Sequence, residues 1–414
     1  MENKPHIVIV GGGASGILAA IMAARKGVPV TILEQKEQVG KKILSTGNGK
    51  CNFTNSKMEP SHFRGEDVSI VQKVLQKFDT SDTLKFFSEL GILPKERNGY
   101  YYPKSEQASA VQEVLIMELK RLRVNVCCNT KVLAIQKKEK FYIRTSDKAY
   151  HADAVILATG GKASPVLGSD GSGYTLAKSL GHSISPVVPA LVQLHGKGTF
   201  FKMVSGVRID AKIALYVNDT LLAEDTGELQ LTNYGISGIP VFQISRYAAL
   251  SLLEGKTPKA VLDFMPEYST QELFSFFLNR SQQEQEKTSE EFLVGVFNKK
   301  LILVLLRASK IPGELPVKNL TENQLETLAH KCKTFSIEII KTNSFEQAQI
   351  CAGGVRIKEI QSRTMESRLV KGLYITGELL DIDGMCGGYN LQWAWSTGAI
   401  AGEAAAFAVS GKEE

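Results

Sequence analysis

A glycine cluster set between two apolar runs constrains this chain more than any other feature. Ile7 to Val10 is apolar, Gly11, Gly13 and Gly16 follow, and an alanine-rich amphipathic stretch comes next. A second apolar run, Val30 to Leu33, ends on Glu34. This order predicts a strand, a tight turn, a helix and a second strand, with an acid roughly 20 residues past the glycines. Gly11 permits the turn, Gly13 lets backbone approach a pyrophosphate at the positive end of the helix, and Gly16 lets that helix lie close to the strands. Glu34 can accept from ribose hydroxyls. The unit predicts a grip on an ADP-containing dinucleotide through Gly11, Gly13, Ala14, Ser15, Gly16, Glu34 and Gln35. A secretory leader is the competing reading, since Lys4 precedes apolar and small residues. The glycines interrupt the apolar region and Glu34 stands where a cleavage site would be, which rejects it.

The chain has 414 residues, too many for one typical core, so two or three domains are expected. No apolar stretch approaches the ~20 residues that span a bilayer. The six cysteines show no Cys-x-x-Cys spacing, and the six histidines form no ligand-like cluster. A metal site is therefore not expected, and the cysteine usage suits a reducing cytoplasm. The net charge of +6 favours anionic partners only mildly.

Glycine-rich motifs lie at both ends of the chain, with strands and helices between them. The simplest arrangement is a discontinuous cofactor domain over 1–187 and 346–414, an inserted β-rich domain over 188–264 and an inserted helical domain over 265–345. Residues 68–123 read as helical around a polar, aromatic loop, NGYYYPKSEQAS. Residues 124–158 read as a β-meander laid on the dinucleotide sheet. Thr288 with Glu291, and Thr321 with Gln324, fit capping boxes.

Three further motifs carry chemistry. KKILSTGNGKCN, Lys41 to Asn52, offers backbone N–H groups and lysine cations to phosphates, through Lys42, Thr46, Gly47, Asn48, Gly49, Cys51 and Asn52. It lacks the Gly-Lys-Ser/Thr ending of a P-loop, which argues against an NTPase. LATGG ends an apolar strand on Thr159, Gly160 and Gly161 and lets backbone pass close to the dinucleotide. GLYITGELLDIDGMCGGYNLQWAWSTG contains Gly377, Glu378, Asp383, Gly388, Tyr389, Asn390 and Leu391 and opens a terminal helix. The N-terminus of that helix can place amide donors near a flavin ring and stabilise its reduced anion. Trp393 and Trp395, inside the helix, read as packing residues.

In order and spacing these motifs resemble the HI0933-like (BaiN/RdsA) family of NAD(P)/FAD-dependent oxidoreductases, over the whole chain. KKILSTGNGKCN and GGYNLQ carry most of the resemblance. It implies an α/β fold with a discontinuous Rossmann-like FAD-binding domain of the two-dinucleotide-binding flavoprotein type and inserted β-rich and helical domains. It implies FAD as the held cofactor, with Val132 also in its site, and NAD(P)H as a transient reductant without a fingerprint of its own. The activity implied is reduction of a carbon–carbon double bond. One branch acts on uridine in large-subunit ribosomal RNA, giving dihydrouridine, and another on steroid-like enones. The basic balance favours the ribosomal RNA substrate, although no RNA-binding signature appears. The alternatives are a small-molecule enone reductase and a non-catalytic flavin-binding redox sensor. No membrane partner is expected. One segment departs from the family pattern, because Asn233 stands where relatives commonly have histidine before Gly-x-Ser-Gly-Pro.

Double-bond reduction by hydride needs a proton at the adjacent carbon. Cys51, beside Lys50, is the first candidate for a tuned acid, followed by Cys386 and Tyr389. For Cys51 the competing role is packing against the flavin.

Overall fold

The computed structural model describes residues 6–411; Lys4 and the outermost residues of the 1–187 and 346–414 segments lie outside it. The chain divides into two compact units, Met1–Val188 with Gln349–Glu414, and Pro189–Ala348.

The first unit is built on β1 (Ile7–Val10), α1 (Ala14–Arg25), β2 (Val30–Leu33), β3 (Asn125–Cys127), β4 (Ala154–Leu157), β5 (Leu373–Ile375) and α2 (Tyr389–Ser410). The strands form one parallel sheet in the order β5-β4-β1-β2-β3. Every residue of β1, β2 and β4 is buried, which is why these runs are apolar on both faces, with Thr31 the one polar residue among them, rather than alternating. Strand order reverses at β1, between β2 and β4. That is the switch point where an open α/β sheet leaves a crevice at the carboxyl ends of its strands. The α/β expectation is met.

The expected meander over 124–158 is split. Only Val132–Lys137, Phe141–Thr145 and Ala149–Ala152 form a three-stranded antiparallel sheet. Its two ends joined the parallel sheet instead: Asn125 pairs with Thr31, and the fully apolar β4 lies beside β1. The 68–123 segment holds helices at Ser69–Leu75, Thr80–Glu89 and Ala108–Arg121. Between them the expected aromatic loop is a hairpin of Pro94–Arg97 and Tyr100–Pro103, turned by Asn98 and Gly99 with φ of 55° and 90°.

The second unit holds a closed six-stranded antiparallel barrel: Leu194–Gly196, Arg208–Val217, Thr220–Leu231, Gly235–Ser237, Lys259–Asp263 and Phe335–Thr342. A helix at Ile239–Leu253 buries Val241, Ile244 and Ala248 in the same apolar core as the barrel. Helices Thr270–Gln283, Ser289–Leu293, Lys299–Ala308 and Glu322–Lys333 share that core as well. Thr288 with Glu291 and Thr321 with Gln324 form the expected capping boxes.

Candidate cofactor and active site

The β1–α1 turn is held by contacts that leave no room for side chains. Gly11 has a φ of 102°, and a Cβ on it would stand 2.5 Å from the Ala158 carbonyl oxygen. A Cβ on Gly16 would stand 2.0 Å from the Gly11 carbonyl oxygen. At Gly13, the N-cap of α1, nothing lies within 4 Å of the Cβ direction. No side chain caps α1, and its first internal bond runs from the Ile17 N–H to the Gly13 carbonyl at 2.9 Å. The first-turn amides of Ala14, Ser15 and Gly16 therefore have no acceptor within the helix and suit a diphosphate.

Glu34 is buried at the end of β2. Its Oε2 accepts from the Gly12 N–H at 2.7 Å and its Oε1 from the Lys36 N–H at 2.8 Å. Both oxygens keep lone pairs for a ribose diol. Burial raises its pKa above the ordinary 4.5, opposed by these backbone bonds. The Gln35 side chain donates to the Gly168 carbonyl. The Thr130 N–H donates to the Glu34 carbonyl at 2.8 Å, which brings the chain to the buried Val132 two residues later.

The basic loop reaches this turn through the Gly40 N–H, which donates to the Gly12 carbonyl at 2.7 Å. Its lysines, expected from the sequence to face phosphates, are ion-paired to carboxylates of the chain. Lys41 pairs with Glu37 at 2.7 Å, Lys42 with Glu378 at 3.0 Å and Lys50 with Glu106 at 2.9 Å. Backbone is what the loop presents instead. Gly47, Asn48, Gly49 and Cys51 all have positive φ, and Gly47–Gly49 is exposed. Thr46, half-buried, donates to the Ile43 carbonyl at 2.6 Å. Cys51 is fully buried, and burial pushes its thiol up to about 12, opposed by a hydrogen bond with Thr46. Asn52 ties the loop to the terminal helix. Its amide nitrogen donates to the Tyr101 and Thr54 carbonyls at 3.1 and 2.9 Å, and its oxygen accepts from the Gly388 N–H at 3.2 Å.

The carboxyl ends of β4 and β5 complete the crevice. The Ala158 N–H donates to the Val10 carbonyl at 2.9 Å, and the Thr376 N–H to the Leu157 carbonyl at 3.0 Å. Thr159 packs on Gly173, Gly160 on Ser169, and Gly161 on Glu378 and Tyr174. Glu378 also accepts from the Cys351 N–H at 2.8 Å. The Gly377 N–H donates to Thr397 Oγ1 of α2 at 2.9 Å. Asp383 is buried in the short pairing of Asp383–Gly384 with Phe63–Arg64.

Gly388 caps α2 with a φ of 88° and no side-chain cap, so the amides of Tyr389, Asn390 and Leu391 form a second uncapped first turn. Asn390 clamps the preceding turn, accepting from the Gly384 N–H at 2.8 Å and donating to its carbonyl at 2.9 Å. Leu391 and Cys386 are half-buried. Tyr389 is buried, and burial pushes its phenol up to about 12. Trp393 and Trp395 are packing residues, their indoles donating to the Gly377 and Phe53 carbonyls at 3.2 and 2.9 Å. The structure thus brings all four glycine motifs to one crevice. It also adds Asn55, whose amide donates to the Gly387 carbonyl at 2.8 Å, and His62, stacked on Tyr389. Neither carries a local sequence signal. Among the described residues no cluster of three or more His, Cys, Asp or Glu could hold a metal, and no helix is long and apolar enough to cross a membrane.

The family model described as HI0933-like protein Rossmann domain matches residues 5–404. The chain belongs to the HI0933-like family. It is an FAD-dependent oxidoreductase. Family relatives span its whole length. A 3-dehydro-bile acid delta(4,6)-reductase of Clostridium scindens is 53% identical over 97% of this chain and 99% of its own. A ribosomal RNA dihydrouridine synthase of Haemophilus influenzae is 29% identical over 96% and 97%. Among solved structures, the 3-ketosteroid-delta4-(5alpha)-dehydrogenase of Rhodococcus jostii has a TM-score of 0.50 at 13% identity, covering 97% of each chain, and shows the shared fold. The donor set fits FAD. Open space at Gly13 and the α1 amides suit the diphosphate, Glu34 suits the ribose, and the uncapped α2 N-terminus suits the electron-rich edge of the reduced ring.

Proposed function

We propose that this family member uses NAD(P)H to reduce a carbon–carbon double bond conjugated to a ketone in a small, steroid-like substrate. The end-to-end 53% identity to the bile acid reductase carries the reading. The flavin supplies hydride chemistry when bound. The chain's own residues hold it, fix its orientation and manage the proton. In this reading Glu34 and the α1 amides grip the ADP half, Gly47–Asn52 lies along the chain between diphosphate and ring, and the α2 amides support the ring. Val132, Thr159, Gly160, Gly161, Gly377, Glu378 and Asp383 form the walls. Cys51 packs, since its side chain is fully buried, and Tyr389 and Cys386 stand at the turn that opens α2. NAD(P)H visits without a dedicated domain, because the one glycine fingerprint serves FAD.

Uridine in ribosomal RNA is the second reading, favoured by the dihydrouridine synthase relative. Two lysines that would add to a basic surface are engaged within the chain. Lys140 pairs with Asp153 at 2.8 Å, and Lys137 lies over the Phe141 ring at 4.4 Å. The test supplies the purified protein with NADH or NADPH and either a 3-keto steroid carrying conjugated Δ4 and Δ6 double bonds or in-vitro-transcribed large-subunit ribosomal RNA. Saturation of the steroid with no dihydrouridine formed is expected. Dihydrouridine in the RNA with the steroid untouched overturns the proposal.

A further inference from the structure

Residues 60–64 belong to none of the glycine motifs, yet the fold fastens them to the last one. Phe63–Arg64 pairs antiparallel with Asp383–Gly384, Phe63 opposite Gly384 and Arg64 opposite Asp383. The Met385 N–H donates to the His62 carbonyl at 3.0 Å. His62 is thereby held against the segment that leads into Gly387, Gly388 and α2. Its imidazole lies nearly parallel to the Tyr389 ring, with centroids 4.8 Å apart and planes 14° apart. Phe63 meets the same tyrosine edge-on at 5.9 Å. Backbone pairing and ring stacking together leave the imidazole little freedom.

The Nδ1 atom of His62 is buried and has no hydrogen-bond partner among the described residues. A buried ring nitrogen left unpaired loses its hydration without compensation, and a phenylalanine would fill the same stack without that loss. Such an atom calls for an explanation, and a partner supplied by a bound molecule is one. His62 is only half-buried as a residue, so it also keeps contact with solvent.

We propose that His62 is the proton-delivering residue of the double-bond reduction, with Nδ1 as the delivering atom and the Tyr389 ring as the surface that fixes its plane. This rests on the reading of the protein as a reductase of a conjugated ketone. Hydride addition at the β carbon forms a new C–H bond and moves the π pair towards the α carbon and the carbonyl oxygen. The Nδ1–H bond of the His62 imidazolium breaks as a second C–H bond forms at the α carbon, giving the saturated ketone and neutral imidazole. The electron pair of the broken N–H bond stays on the imidazole, which regains a proton before the next turnover. The tyrosine hydroxyl is not consumed. Tyr389 is then a positioning residue that acts through its ring.

The experiment follows the two half-reactions separately by stopped flow, using a Δ4,6-3-keto steroid as oxidant. His62→Gln and the stack-preserving His62→Phe are expected to retain FAD and to be reduced by NAD(P)H within about twofold of wild type. Their reoxidation by the steroid is expected to slow about 100-fold or more, the usual scale for loss of a general acid. Tyr389→Phe keeps the ring and is expected to reoxidise near the wild-type rate, whereas Tyr389→Leu is expected to slow it. Wild-type reoxidation in both His62 variants overturns the proposal, as does a Tyr389→Phe defect equal to that of His62→Gln, which would make the hydroxyl the donor. Wild-type enzyme that the steroid fails to reoxidise contradicts the proposed function instead, a different result from wild-type rates retained in the variants.

Discussion

Replacing Gly398 by valine is expected to lower the unfolding midpoint sharply and to yield protein with little bound flavin. Gly398 lies on α2 where a Cβ would stand 2.3 Å from the Ser15 carbonyl oxygen of α1. One turn later a Cβ on Gly402 would stand 2.3 Å from the Ala19 carbonyl oxygen. The spacing of four puts both glycines on one helix face, so α1 and α2 meet backbone to backbone. The obstructing atoms are carbonyls of a fixed helix and cannot be moved by a rotamer change. Overpacking ordinarily costs 1–3 kcal/mol and occasionally more; the rigid neighbour here argues for about 3 kcal/mol or above. Ser15 is also in the first turn of α1, so helix separation displaces the amides that face the diphosphate. The checks are the denaturation midpoint and the flavin released per chain. An unchanged midpoint with a full flavin complement would show that the two helices are not packed this way.

Glu34→Ala is expected to weaken FAD binding by about 100-fold. The carboxylate organises the turn through its bonds to the Gly12 and Lys36 amides and is the ribose acceptor in this account. Hydrogen bonds to a charged group are worth about 1.5–3 kcal/mol each, and a net loss of about 3 kcal/mol corresponds to about two decades in Kd. Titration of apo-protein with FAD measures it. The apo fold should change less, since removing a buried carboxylate also relieves its desolvation. That desolvation sets the direction of the pH response. The folded pKa lies above 4.5, so the folded apo state binds this proton more readily than the unfolded chain, and Glu34 favours folding below its folded pKa. That contribution is lost as pH rises from 4.5 through the folded value. FAD binding follows the opposite sign, because protonation removes an acceptor. Acid release of FAD should therefore begin at a higher pH than an exposed glutamate would give, and Glu34→Gln should flatten that response. Identical Kd values for wild type and Glu34→Ala would remove the carboxylate from the ribose site.

The β1–α1–β2 unit was legible because its demands fall on backbone. Gly11 and Gly16 occupy positions where any Cβ meets a carbonyl within 2.5 Å, so the residue type itself reports the geometry. The same holds where Gly387 and Gly388 open α2 with φ of 129° and 88°. The ion pairs of Lys42 and Lys50 carried no local signal because their partners are remote. Glu106 and Glu378 lie far along the chain, and no local pattern ties them to Lys50 or Lys42. The Asn98-Gly99 hairpin carried its signal, an Asn-Gly pair that favours positive φ, beneath a polar, aromatic segment read as a loop. The helix Ile239–Leu253 was hidden by Ile, Val and Phe near its start, where burial beside the barrel overrides strand propensity. His62 stands alone in a polar stretch, and only the pairing of Phe63–Arg64 with Asp383–Gly384 brings it to Tyr389.

The central claim is that the two ends of the chain hold one FAD between them, the ADP half at α1 and the ring at α2. Amide hydrogen exchange of apo-protein with and without saturating FAD tests it directly. The account predicts slowed exchange at residues 13–16 and at residues 388–391 in the same titration. Protection at one segment with the other unchanged would contradict it.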